Sequence, residues 1–118
     1  MAFRFESLDI WHMARAYATS IYAVSAKFPR REDYGLTSQI NAAVNSINLN
    51  IAEGSAKSNK AFDYHLQIAL GSTYEVVAAI FLALDRAYIT QQEQLDLYAQ
   101  ADRLCKSVNA FRNTLKLR

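Results

Sequence analysis

The chain has 118 residues, 52% of them hydrophobic and 20% charged, with 3 glycines, 1 proline, 1 cysteine and a formal net charge of +2. That length suits one domain around one core, and so few helix breakers leave too few turns for an all-β sandwich. The same figures exclude collagen-like, disordered and disulfide-scaffold classes, and the charged share below about 25% implies more apolar surface than one small domain hides alone.

Four segments carry helical periodicity. In the first, Trp11, Ala14, Ala18, Ile21, Ser25 and Phe28 recur at 3 and 4 spacing. Ser7 is its expected cap, Asp9 suits the positive end of the helix dipole, and Pro29 ends it. The second is expected from Thr37 to Gly54, with Leu36, Ile40, Val44, Ile47 and Ile51 as its apolar stripe and Gly54 just past its end. The third begins at Ser58 and runs to near Tyr88 along the seam Phe62, Leu66, Ala69, Thr73, Val76, Ile80, Leu84. The fourth opens with Thr90-Gln-Gln-Glu93, a capping box in which the first and last residues satisfy each other's backbone donors. Leu97, Ala101, Leu104, Val108, Phe111 and Leu115 follow. Short connections between four amphipathic helices predict a single domain over residues 1–118, an all-α, antiparallel, up-down-up-down four-helix bundle with left-handed packing.

The third helix is apolar around its whole circumference between Val76 and Leu84. The outer helix of a monomeric bundle should turn a polar face to water. Tyr64, Ile68, Glu75, Ala79 and Leu82 are therefore the candidate subunit interface, weighed against scattered exposed apolar residues. Nine residues is also the longest unbroken apolar run, short of the about 20 that a membrane span needs. That run, a start without an apolar h-region and the lone Cys105 lead to the expectation of a soluble cytoplasmic protein with no membrane partner. On the second helix Ser38, Asn41, Asn45 and Asn48 share one stripe, either a solvated face or a source of hydrogen bonds to another subunit or to RNA or DNA.

Chemistry is sparse. Asp9-x-x-His12 is a single carboxylate–imidazole pair, where a di-iron bundle needs two such pairs and two further glutamates. His65 and Asp63 are two apart and do not face each other on a helix; both histidines are expected at the surface, and no metal or other cofactor is expected. Cys105 has no base in its helix and is expected to be a buried structural thiol. Gly71 inside the third helix points to a close approach by another helix. No phosphate loop, dinucleotide fingerprint or nucleophile elbow is present, so the expectation is a protein that is not an enzyme. Charge is unevenly spread: residues 1–102 sum to −3, while residues 103–118 carry five cations and no acid. Arg103, Lys106, Arg112, Lys116 and Arg118 are the candidate nucleic-acid contacts, or simply cations at a solvated helix end.

Gly35-Leu36-Thr37-Ser38-Gln39, Asn50-Ile51-Ala52-Glu53-Gly54-Ser55 and Ile68-Ala69-Leu70-Gly71-Ser72 with Glu75 resemble the four-helix bundle proteins of the 23S rRNA intervening-sequence family. Leu8-Asp9-Ile10-Trp11 and the Tyr22…Phe28-Pro29 stretch look similar too, so the resemblance covers nearly the whole chain. It implies a small bacterial cytoplasmic protein, some of whose relatives are encoded within insertions in 23S rRNA genes. It also implies similarity to the accessory variability protein of diversity-generating retroelements, a pentameric bundle associated with nucleic acid and a reverse transcriptase. A homopentamer, RNA or DNA and such a protein partner are thus what the resemblance suggests. The sequence departs from the family's pattern at Asn41 and Ala42, where relatives commonly carry arginine, and at Asn48, where they carry proline. Without those cations, a nucleic-acid role carried over to helix two is weakened. The functional expectation is a non-enzymatic homo-oligomer that binds structured RNA or DNA, against a protein-interaction or assembly module with no nucleic-acid contact.

Overall fold

The computed structural model describes residues 2–116. A 3-10 turn at Arg4–Ser7 leads into α1 (Asp9–Ser25), and a second such turn at Arg30–Glu32 precedes α2 (Leu36–Ser55), α3 (Asn59–Asp85) and α4 (Gln91–Lys116). The fold is all-α, with four helices and no strand among the described residues. Each helix packs on the next and α1 also meets α4, so the four enclose one core in a molecule 46 Å long and 23 Å across. The periodic residues fill it: Ile21, Ile40, Ile47, Phe62, Leu66, Val76 and Leu104 are buried.

Helix ends follow local chemistry, with one departure from expectation at α1. Ser7 does not cap α1; its Oγ donates to the Arg4 carbonyl at 2.9 Å, and Leu8 occupies the cap position. At α2 the cap residue is Gly35, which has no side chain to offer. Glu32 substitutes: its Oε1 accepts from the Leu36 N–H at 3.2 Å, while Oε2 accepts from the Tyr88 hydroxyl at 2.7 Å and from Arg86 at 3.2 Å. The Tyr88 bond first, then the Leu36 amide, holds this carboxyl below its ordinary range. Ser58 does cap α3, accepting from the Ala61 N–H. Thr90 and Glu93 form the reciprocal box, at 2.9 and 3.1 Å.

At the other end of α3, Ala87 has φ 62°, and the Tyr88 and Ala87 amides donate to the Ala83 and Leu84 carbonyls. These two bonds are the Schellman pattern, here with alanine where glycine is the usual left-handed residue.

Neither helical glycine holds the role that spacing suggested. Gly54 lies inside α2 rather than beyond it, and a Cβ there would stand 2.7 Å from both His65 Cβ and Phe62 Cδ1. This is the close approach of α2 to α3. Gly71 has nothing within 4 Å of where its Cβ would be and faces outward.

By length and composition α3 could cross a membrane. In the fold, however, it packs between α2 and α4 with Phe62, Leu66, Ala69, Val76 and Ile80 in the core. The asparagine stripe of α2 turns toward α1. Asn41 Oδ1 accepts from Ser25 Oγ at 2.9 Å, Asn45 Nδ2 donates to the Tyr22 hydroxyl at 2.7 Å, and Asn48 Nδ2 donates to the Ala14 carbonyl at 3.2 Å. The stripe is a hydrogen-bonded seam between two helices of one chain, which is neither of the two roles expected for it.

Candidate nucleic-acid interface

The cations of α4 do not form one free basic stripe. Lys106 pairs with Asp102 one turn before it at 2.9 Å. Arg112 reaches α3, where Nε and Nη2 donate to the two oxygens of Asp63 at 2.7 and 3.4 Å, both side chains being about one-fifth exposed. This fork raises the Arg112 pKa and holds the Asp63 carboxyl below its ordinary range, with Gln67 adding a third bond to that carboxylate. Arg112 is thus a tie between helices, which corrects its expected role as a free phosphate contact. Arg103 and Lys116 are exposed and carry no salt bridge among the described residues. Arg118 lies outside the described residues.

Tertiary structure supplies cations that the linear count did not group with these. Asn59, the first residue of α3, donates to the Leu115 carbonyl at 3.3 Å, which brings Lys60 to the same end of the molecule as Lys116. Arg4 joins them. Its guanidinium lies 5.2 Å from the centre of the Phe62 ring and donates to the Ser55 carbonyl at 3.4 Å, at the negative end of α2. Arg4, Lys60 and Lys116 therefore share one end of the bundle, where Lys57 is held by Glu53 at 3.0 Å. No spacing in the sequence could have collected them, because they belong to three different elements.

The composition of the Asn50–Ser55 segment has its reason at this end. His65 is only 9% exposed, against the expectation of a surface histidine. Its Nδ1 lies 2.9 Å from Asn50 Oδ1, a contact in which the ring donates, and its Nε2 lies 3.0 Å from Lys57 Nζ. With Gly54 allowing the approach, Asn50, Glu53 and Gly54 of α2 together receive one side chain of α3. Among the described residues, no group of three or more His, Cys, Asp or Glu side chains is placed to hold a metal ion. His12 is exposed and sits on the Glu6 carbonyl at 2.6 Å.

On the outer face of α3, Tyr64 is 62% and Leu82 45% exposed, Glu75 is exposed and Ile68 half-buried. Ala79 is a correction: at 7% exposure it belongs to the core, because the helix turns Ala78 rather than Ala79 outward. The residues missed are Tyr74 and Phe81 on α3 and Tyr98 on α4, which with Val77 wall a groove of about 410 Å³. Cys105 lies half-buried in that groove, and burial, with Asp102 adding to it, pushes its thiol pKa up and keeps it protonated. The helical period could have shown this face, since Tyr74, Ala78 and Phe81 recur at 4 and 3 spacing.

Comparison with known proteins places the molecule. A solved structure of a protein of unknown function from the S23 ribosomal protein family of Bacteroides thetaiotaomicron VPI-5482 superposes with a TM-score of 0.80 at 20% identity, covering 87% of this chain and 97% of that one. At that identity the likeness concerns the fold. No curated protein sequence matches the chain. The model of the 23S rRNA-intervening sequence protein family matches residues 6–110, nearly the whole four-helix unit, and the chain belongs to that family.

Proposed function

We propose that this chain is a non-enzymatic, homo-oligomeric helical bundle of the cytoplasm that binds RNA or DNA through phosphate contacts at one cationic end. The observation that carries the reading is the meeting of Arg4, Lys60 and Lys116, from three elements, at that end. Lysine and arginine at a surface release counterions from a nucleic-acid backbone, so such binding is strongly salt-dependent. In this reading the helices alternate up and down with left-handed packing, and copies join through the outer face of α3 and its groove with α4. Five copies follow from the family resemblance. A ring would multiply the charge of each cationic end around one axis.

A second reading is a protein-interaction or assembly module without nucleic-acid contact, with a partner such as the reverse transcriptase that the resemblance suggests. It is favoured by two facts: Asp63 and Asp102 neutralise two of the α4 cations, and the aromatic groove between α3 and α4 stands open. A gel-shift assay with structured RNA at low salt separates the two. The double variant Lys60→Glu, Lys116→Glu is expected to weaken the complex roughly tenfold or more and to flatten its salt dependence by about 0.9 for each phosphate no longer neutralised. Absence of any shifted complex at low salt would transfer the assignment to the second reading. Arg112 is unsuitable for this test because its removal opens a tie within the fold.

A further inference from the structure

At the cationic end, the first turn of the chain carries an aromatic series. The Phe3 and Phe5 rings lie 6.1 Å apart at 26°, and Phe5 meets Trp11 of α1 at 4.6 Å. The Arg15 guanidinium stands over the Trp11 ring, 4.9 Å from its centre. Phe3 is 62% exposed, an apolar ring that the core does not use. Trp11 and Arg15 then open into a groove of about 350 Å³ between α1 and α2, whose polar wall is Asn45 and Asn48. Both asparagines direct their Nδ2 groups inside the chain, to Tyr22 and to the Ala14 and Val44 carbonyls. Their Oδ1 acceptors are left over, and that of Asn48 is buried with no donor.

We infer that this track binds single-stranded nucleic acid by stacking its bases on Phe3, Phe5 and the Trp11–Arg15 pair. Every base has a flat face, so aromatic rings in series hold a single strand without regard to sequence, and arginine planes stack in the same way. Duplex stacks its bases on one another and cannot use such a track. The exposed Asn45 supplies a spare amide oxygen as acceptor for a base amino group, and Arg4, between Phe3 and Phe5 in sequence, supplies a phosphate contact at the same end. Glu6 and Asp9 lie close by in the chain and oppose purely electrostatic attraction. Stacking therefore carries more of the affinity here than at the lysines. The inference rests on the nucleic-acid reading above and assigns it a strand form and a contact surface.

Trp11 is the chain's only tryptophan, so its fluorescence reports the track alone. Titrating the full chain with an oligothymidylate is expected to quench Trp11 emission, while a duplex of equal length leaves it unchanged. Phe3→Ala, which removes an exposed ring and spares the core, and Arg15→Ala should each weaken single-strand binding roughly tenfold. The Lys60→Glu, Lys116→Glu variant should weaken both strand forms. Unchanged emission, or single-strand affinity in Phe3→Ala and Arg15→Ala equal to that of the parent chain, with duplex still bound, would overturn the stacking track and leave the cationic-end reading standing. No binding of either strand form would remove both. A change in particle mass on Arg15→Ala at unaltered affinity would overturn the track as well, by making the groove a subunit contact.

Discussion

Gly54 and Gly71 are two glycines in helix interiors with opposite reasons for being there. Gly54 admits His65 and Phe62 to within contact of the α2 backbone, so Gly54→Ala forces side chains together and should destabilise by about 1–3 kcal/mol. Gly71 faces open space, so Gly71→Ala should stabilise by up to about 1 kcal/mol through helix propensity alone. Chemical denaturation of the two variants in dilute solution checks both signs; equal effects would contradict the assignment. Glycine's identity is readable from sequence, but its neighbour is not. Gly54 reads as a helix end because the chain does turn nearby, at Ala56. Gly71 reads as a contact because a helical glycine needs a reason.

Among elements, the most informative contact is the Asp63–Arg112 fork that ties the start of α3 to the end of α4. Asp63's carboxyl is held below its ordinary value by Arg112 first and Gln67 less. A depressed carboxyl stabilises the fold above the unfolded pKa, and this contribution is lost as pH falls through the lower folded value. Asp63→Asn should therefore cost about 1 kcal/mol near neutrality, and the gap from the parent chain should close as pH falls from the ordinary carboxylate range through the lower folded value of Asp63. Urea melts at several pH values measure it; a gap independent of pH would refute it. The fork also explains why the +5 of the last sixteen residues overstated the cationic field of α4. Composition counts charges along one strand of sequence, whereas Asp63 arrives from 49 positions away. Similarly, the α2 asparagines read as a polar stripe in isolation and become a seam only once α1 lies against them.

For the whole molecule, the excess of apolar residues resolves into a filled core and an unfilled outer surface. Phe81, Leu82, Leu95 and Tyr98 remain between 44% and 50% exposed, and Tyr74 reaches 73%. Apolar patches of this kind on a small domain mark contact sites. Leu82→Glu is expected to lower the particle mass seen by light scattering at micromolar concentration while leaving helical circular dichroism intact. A parent chain that is already monomeric at that concentration would refute assembly through this face.

The sequence by itself determined the four helices, most of their core residues, the start of α3 at Ser58, the Thr90–Glu93 box and the family. These depend on periodicity and on contacts three or four residues apart, which a single strand of text records. Only the tertiary structure decided that Arg112 is neutralised, that Ala79 is inside, that Glu32 caps α2 from upstream, and that Arg4 and Lys60 stand with Lys116. Each depends on which side chain from another element arrives within a few ångströms, and burial and charge are set by that arrival. Local pattern selects helices; packing between them chooses which of their residues remain available to a partner.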